Sequence, residues 1–248
     1  MFSLFGYRLL APKELDARFF NKFKTFAPFF RDRPPLVFDV GANVGQSVTE
    51  YKKHWPDCVI HSFEPQVEVF AQLQATAARF SNVTCNNFAL GDTTGERTFF
   101  HHNLHPATSS FIPLNEASQA IANNVHPKAQ FDKFDVTAKN VRIDTLDNYV
   151  AVNAIEHIDI LKFDVQGYET SVFKGAADCL RDGRISFIIT EITFDDVYRN
   201  RTSFHDIEGH ILDHGFLIYD ISHIYKDIAR GRTHWVDAIY ANQRRIDF

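Results

Sequence analysis

Acidic residues standing where strand-like runs end are the feature of this chain best placed to do chemistry. Asp39 lies near the end of the apolar run LVFDV (36–40), and a turn of small residues follows, Gly41-Ala42-Asn43-Val44-Gly45-Gln46. Glu64 follows the run CVIHSF (58–63), and Asp92 closes the segment Ala89-Leu90-Gly91-Asp92. The pattern repeats with Asp164 after HIDILKF (157–163) and Glu191 after ISFIIT (185–190). Carboxylates accept hydrogen bonds from hydroxyls and amines, hold cations and take up protons. At the carboxyl ends of strands in an open α/β sheet they would rim the crevice where ligands bind.

The glycine turn narrows the ligand. Gly41 would permit a tight turn and close approach of a ligand to the backbone, and Gly45 would let the next helix pack near the strand. Asn43 would orient a cofactor, or would serve the turn alone by tolerating positive φ. The pattern is not the G-x-G-x-x-G of dinucleotide sites, because Asn43 replaces the middle glycine. A backbone so blocked does not hug a pyrophosphate, which disfavours a nicotinamide cofactor. Glu64 is placed to accept from ribose hydroxyls and Asp92 from an adenine amino group. Together these residues fit a cofactor with an adenosine head and no phosphates.

The elements that must position these groups follow from short apolar runs alternating with amphipathic stretches, the signature of a parallel sheet with crossover helices. Strands are expected at 36–40, 58–63, 83–89, 157–163, 185–190, 216–221 and 235–241. Helices are expected from Gly45 to His54, from Val67 to Arg79, from the region of Gly167 to about Leu180, and near 203–214. The result is a seven-stranded, mostly parallel sheet whose last strand is antiparallel, with helices on both faces. Flanking strands at 96–101 and 139–143 bracket a polar connection (about 96–140) read as an acceptor-binding or lid insertion. Residues 1–33 form a helical extension packed on the 34–248 domain, since Phe19, Phe23, Phe26 and Phe30 recur at helical spacing.

Composition bounds the partners. The chain has 248 residues, 45% of them hydrophobic, and a net charge of −5, which argues against a nucleic-acid groove. Three scattered cysteines suggest neither a disulfide framework nor a zinc site. No window reaches the roughly 20 apolar residues of a membrane span, and the start does not read as a signal peptide. A cytoplasmic protein is expected.

The segments FDVGANVGQ (38–46), SFEP (62–65), ALGD (89–92), RIDTLDNY (142–149) and LKFDVQGYE (161–169), the last followed by FKGA, together resemble the FkbM family of S-adenosylmethionine-dependent methyltransferases. The resemblance runs from about residue 36 to about 241. It implies a class I methyltransferase (Rossmann-like) fold and O-methylation of sugars, glycans or natural-product hydroxyls. Carried onto this chain, it places Asp39, Gly41, Asn43 and Gly45 around the methionine portion of S-adenosylmethionine, Glu64 at the ribose and Asp92 at the adenine. Thr108-Ser109-Ser110 resembles a small-polar signature of the family near cofactor and acceptor.

Methyl transfer to a hydroxyl is an in-line displacement that needs alignment, proton removal and exclusion of water. Asp164 and Glu191 are the candidate catalytic pair, Asp164 also reaching the cofactor. Either one is general base while the other positions the acceptor, or the two help hold a divalent cation. No H-x-x-x-H pair completes a metal site, so a metal is possible but not favoured. Asp164 would otherwise cap the helix over the amides of 166–167, and Glu191 would pair with Arg199 or Lys162. Gln166, Tyr168, His105 and Ser110 are candidate acceptor contacts and Ser109 a cofactor contact. His101, His102, His105 and His126 read singly as solvated loop residues and together as a polar lid. Arg230-Gly231-Arg232 reads as a solvated turn, and Trp235 stands alone. The acceptor is a small molecule or glycan. The competing class is a methyltransferase-like module that binds cofactor or partner without turnover. Nucleobase methylation is disfavoured, because no Asp/Asn-Pro-Pro-aromatic turn follows the strand that ends at Asp164.

Overall fold

A computed structural model describes residues 3–4, 7–8, 22–103, 106–113, 115, 136–195, 202–227 and 231–246. Phe19, His105, His126, Arg199 and Arg230, weighed above, lie outside the described residues.

In chain order the elements begin with β1 (Ser3–Leu4), β2 (Tyr7–Arg8) and α1 (Lys22–Phe26). β3 (Leu36–Val40), α2 (Gln46–His54), β4 (Val59–Phe63), α3 (Val67–Ala77) and β5 (Val83–Asn86) follow. Then come β6 (Ala89–Leu90), β7 (Gly95–His102), β8 (Val136–Asp144), α4 (Leu146–Val152) and β9 (Ile158–Phe163). The chain continues through α5 (Glu169–Lys174), α6 (Ala177–Arg181), β10 (Ile185–Thr193), α7 (Phe204–Ile211), β11 (Phe216–Asp227) and β12 (Arg232–Asn242).

The central sheet has seven strands in the order β11-β12-β10-β9-β3-β4-β5. β12 runs antiparallel to both β10 and β11, and the other pairings are parallel. This is the class I arrangement expected, with its reversed strand inserted beside β10. Nearly every residue of β3 and β9 is buried, because helices cover both faces and neither face meets water. Val37 and Ile160 enter one core with Phe26 and Phe187, while Phe38 and Leu161 enter the other with Tyr149 and Phe173. The phenylalanines ahead of β3 close the first of these faces: the Phe26 ring meets Phe187 edge-on at 5.1 Å. No helix among the described residues is long and apolar enough to cross a membrane.

Three local differences from the sequence expectations have physical causes. The third strand is not continuous over 83–89, because the side chains of Asn86 and Asn87 turn back to the Ser62 and Glu64 carbonyls. Beyond that break Ala89–Leu90 pairs with β8 in a second sheet, β6-β8-β7. His101 and His102 are not loop residues; they lie on β7, opposite Thr137 and Val136, and are buried. The helix after Gly167 breaks in two at Gly175, where a Cβ would stand 1.8 Å from the Gly91 carbonyl oxygen. That close approach locks the break to the ALGD turn.

Candidate active site

The first loop is tied to its neighbours by backbone. Gly41 and Ala42 each donate to the Phe63 carbonyl at 3.0 Å, and a Cβ on Gly41 would lie 2.0 Å from the Asp164 carbonyl oxygen. With φ at +80° besides, only glycine fits the junction of β3 with β9. Asn43 adopts φ +49° and its side chain accepts from the Val44 amide at 2.7 Å, so the turn chemistry is real. Gly45 packs against Thr76 and Leu73 of α3 rather than against the strand.

Around this junction a cavity of about 630 Å³ opens beyond the carboxyl ends of β3, β4, β9 and β10, within the range of small-molecule sites. Glu64 lines it. Its two oxygens accept from the amides of Asn43 and Gln66 at 3.1 and 2.9 Å. Burial outweighs those bonds and pushes the carboxyl up to about 7. Phe63, Leu90 and Val165 form an apolar wall, and Thr108 and Ser109 line the side of the insertion.

Other candidates are placed differently. Asp39 is fully buried and does not line the cavity; it accepts from Lys162 Nζ at 3.0 Å, and Lys162 is the group presented. The contact is a cross-strand pair, Asp39 opposite Lys162. Asp92 is exposed and outside the lining, where Arg97 binds it at 2.9 Å and the Tyr168 hydroxyl donates to it at 3.3 Å. The apolar Ala89 and Leu90 occupy the adjacent wall instead. Ser110 is structural: its hydroxyl donates to the Gln166 carbonyl at 2.9 Å. Ser109 accepts from the His102 amide at 3.0 Å while lining the cavity.

Asp164 does line the cavity, and it is no helix cap. α5 begins only at Glu169, with Tyr168 at its N-cap position. Asp164 accepts from the Gln166 side chain at 2.8 Å, with Lys162 Nζ at 3.9 Å. Its loop passes through two left-handed residues, Gln166 at φ +54° and Gly167 at φ +92°. Glu169 fixes them: its buried carboxylate accepts from the Gly167 amide at 3.1 Å, and Thr202 donates to the Gly167 carbonyl at 2.9 Å. Burial pushes Glu169 up to about 7. Tyr168 is buried against the Phe111 ring, with centroids 4.6 Å apart, and its hydroxyl meets Arg97.

Glu191 faces the same cavity from β10. Burial pushes its carboxyl up to about 8, aided by Asp164, Asp237 and Glu169 and opposed by Lys162. Asp237 is a group the sequence reading missed. It stands opposite Glu191 in the β10–β12 register and lines the cavity with His223, Trp235 and Asp195. Alternation along β12 would have revealed its face, though not its partner. Trp235 stacks on Tyr225 at 3.9 Å. Arg232 is not a free flank: Asp195 holds it at 2.7 Å and binds His234 as well.

A profile of the methyltransferase FkbM domain matches residues 39–218, well over half of the chain. The chain belongs to the FkbM methyltransferase family. This FkbM methyltransferase is an S-adenosylmethionine-dependent enzyme. It is 25% identical over 167 residues to the 2-O-methyltransferase NoeI of Sinorhizobium fredii, covering 67% of each chain. It is 26% identical to the 31-O-demethyl-FK506 methyltransferase FkbM of Streptomyces tacrolimicus over 70% of this chain and 66% of that one. The matches thus span about two thirds of those relatives. Magnesium protoporphyrin IX methyltransferase of Synechocystis PCC 6803 with bound SAH aligns with 89% of this chain and 81% of its own at TM-score 0.48 and 10% identity. The residues present fit the donor: a glycine junction free of side chains, a buried Glu64 able to meet hydroxyls, an apolar wall, and carboxyls suited to a cation.

Proposed function

We propose that this FkbM methyltransferase moves the methyl group of S-adenosylmethionine to a hydroxyl of a sugar, glycan or glycosylated small molecule. The acidic rim of the cavity carries this reading. Asp164, Glu191 and Asp237 converge there from β9, β10 and β12, more carboxyl groups than Lys162 neutralises. Such a rim attracts a cation and hydrogen-bonds hydroxyls. When bound, the donor supplies an electrophilic methyl group on a positively charged sulfur. Gly41, Asn43 and Glu64 hold its side of the cavity, and Thr108 and Ser109 help to exclude water. Burial and the neighbouring carboxyls push the Glu191 carboxyl up in the free protein, and arriving positive charge favours its ionised form. Asp164 and Glu191 then hold the acceptor hydroxyl in line with the methyl carbon.

The names of the two relatives support an oxygen acceptor, the 2-O-methyltransferase NoeI on one side and the 31-O-demethyl-FK506 methyltransferase on the other. The second name favours an alternative, a hydroxyl of a non-sugar natural product. Calorimetry with S-adenosylmethionine, followed by release of S-adenosylhomocysteine with sugars, oligosaccharides, natural-product alcohols and RNA, tests the proposal. Turnover on a saccharide is expected. Donor binding with no turnover on any acceptor supports the module without catalysis, and turnover on RNA alone overturns the acceptor class.

A further inference from the structure

β11 contains an irregularity beside the cavity that no role assigned above explains. Ser222 pairs with Asp237 and Ile224 with Val236, leaving His223 as an extra residue in a β-bulge. Its φ is +41°, the left-handed region that a bulge of this kind reserves for glycine. Histidine is one of the side chains that enters this region at a cost. Bulges re-aim side chains next to active sites, and this one turns His223 into the lining of the cavity. Nδ1 of the imidazole lies 3.4 Å from Asp237 Oδ2, and Asp237 is the register partner of Glu191.

We infer that His223, oriented by Asp237, is the general base that takes the proton of the acceptor hydroxyl, an inference that rests on the hydroxyl acceptor proposed above. The pairing assigns the tautomer: Nδ1–H donates to Asp237, which leaves the Nε2 lone pair free. As the O–C bond to the methyl group forms, the hydroxyl O–H bond breaks and its proton passes to Nε2. The C–S bond breaks at the same time, its electron pair staying on the sulfur of S-adenosylmethionine. The imidazolium formed is held by Asp237. Glu191 lines the same cavity and in this scheme orients the acceptor. Among the described residues, the charged groups that act on the imidazole include Asp237 on β12, Lys22 on α1 and Glu50 on α2. Lys22 and Glu50 pair with each other at 3.2 Å. Contact with Asp237 is the largest influence and raises the imidazole from its ordinary value of 6.5.

The test is a pair of variants in the full chain, His223→Asn and Asp237→Asn. Asn tolerates positive φ and keeps a donor toward Asp237 but takes no proton. S-adenosylhomocysteine affinity by calorimetry reports folding and the donor half, and is expected within about twofold of wild type in His223→Asn. With an accepted alcohol, His223→Asn is expected to lower kcat by roughly 10²-fold or more and to abolish the acid limb of the pH–rate profile. Asp237→Asn retains that limb and moves it to lower pH, a shift that a purely structural residue does not produce. If His223→Asn binds the donor and keeps half of kcat with an unchanged pH profile, the dyad is wrong and the hydroxyl reading stands. If the wild type binds the donor yet methylates no hydroxyl, the hydroxyl reading falls and takes the dyad with it.

Discussion

Asp159 near the start of β9 and Glu191 near the end of β10 stand at opposite ends of the same sheet, with burial acting alike on both. Their surroundings differ. Asp159 is 2% exposed and accepts from Arg33 at 2.7 Å and from the Leu36 amide at 2.8 Å, with His157 at 3.3 Å. Those partners overcome desolvation and hold its carboxyl well below the usual range. Glu191 faces Asp164, Asp237 and Glu169, and its carboxyl is pushed up. One end of the sheet satisfies its acid completely; the other concentrates acids around a cavity. Perturbation in opposite directions thus separates a carboxylate satisfied by the scaffold from one that faces the cavity.

The largest effect is expected from breaking the satisfied end. Arg33→Ala leaves Asp159 buried without its main cation, which costs about 3 kcal/mol. The low end of the range applies because the Arg33 side chain is 58% exposed. The sign follows from linkage. A depressed carboxyl stabilises the fold above its unfolded pKa near 3.8, and that contribution fades as pH falls below it. Urea unfolding of both proteins at pH 7 and pH 3 checks this: the gap is expected to be widest at pH 7 and smaller, though still present, at pH 3. An equal gap at both values refutes the assignment.

Glu191→Gln is expected to act in the opposite sense. Glu191 has its folded pKa raised from 4.5 to about 8, so the protonated form favours the folded state. Its cost is absent below about pH 4.5, grows as pH rises toward 8, and is complete above that. The variant should therefore match wild type at pH 4 and exceed it by about 2 kcal/mol at pH 9 in ligand-free protein. Denaturant titrations at the two pH values measure it. Weaker donor binding or slower turnover in the same variant completes the contrast, since gained stability with lost activity marks a site kept under strain. No gain at pH 9 sinks the comparison.

The two ends were unequally legible in the sequence. Strand tips, the glycine turn, Glu64, Asp164 and Glu191 are local signals, each following an apolar run within a few residues. The seven-stranded sheet with its reversed strand could be read from the same periodicity. Asp237 and His223 were not legible, because their meeting depends on the register of β12 against β10 and β11. A bulge changes that register without a mark in the sequence when the bulged residue is histidine and not glycine. Asp92 is placed away from the cavity for the converse reason. Its local pattern is right, but Arg97, five residues later, crosses back to bind it, and β6 has already left the main sheet. Arg33 and Asp159 meet only through tertiary packing, so no spacing announces the pair.

The smallest expected effect probes the acidic end from its strained neighbour. His223→Gly removes the left-handed penalty of roughly 1–2 kcal/mol, while the flexibility of glycine returns about 0.5–1 kcal/mol of that to the unfolded chain. The His223 side chain is 58% exposed and its contact with Asp237 is solvent-screened, so losing it costs little. Net stability should stay level or rise by less than about 1 kcal/mol, read by thermal unfolding at pH 7. A satisfied structural element like the Arg33–Asp159 pair does not improve when its side chain is deleted. A loss above about 2 kcal/mol on His223→Gly would place His223 with that pair, as part of the scaffold. A level or higher melting temperature places its strain on the functional side of the molecule, where a histidine in a glycine position is retained for what its ring does.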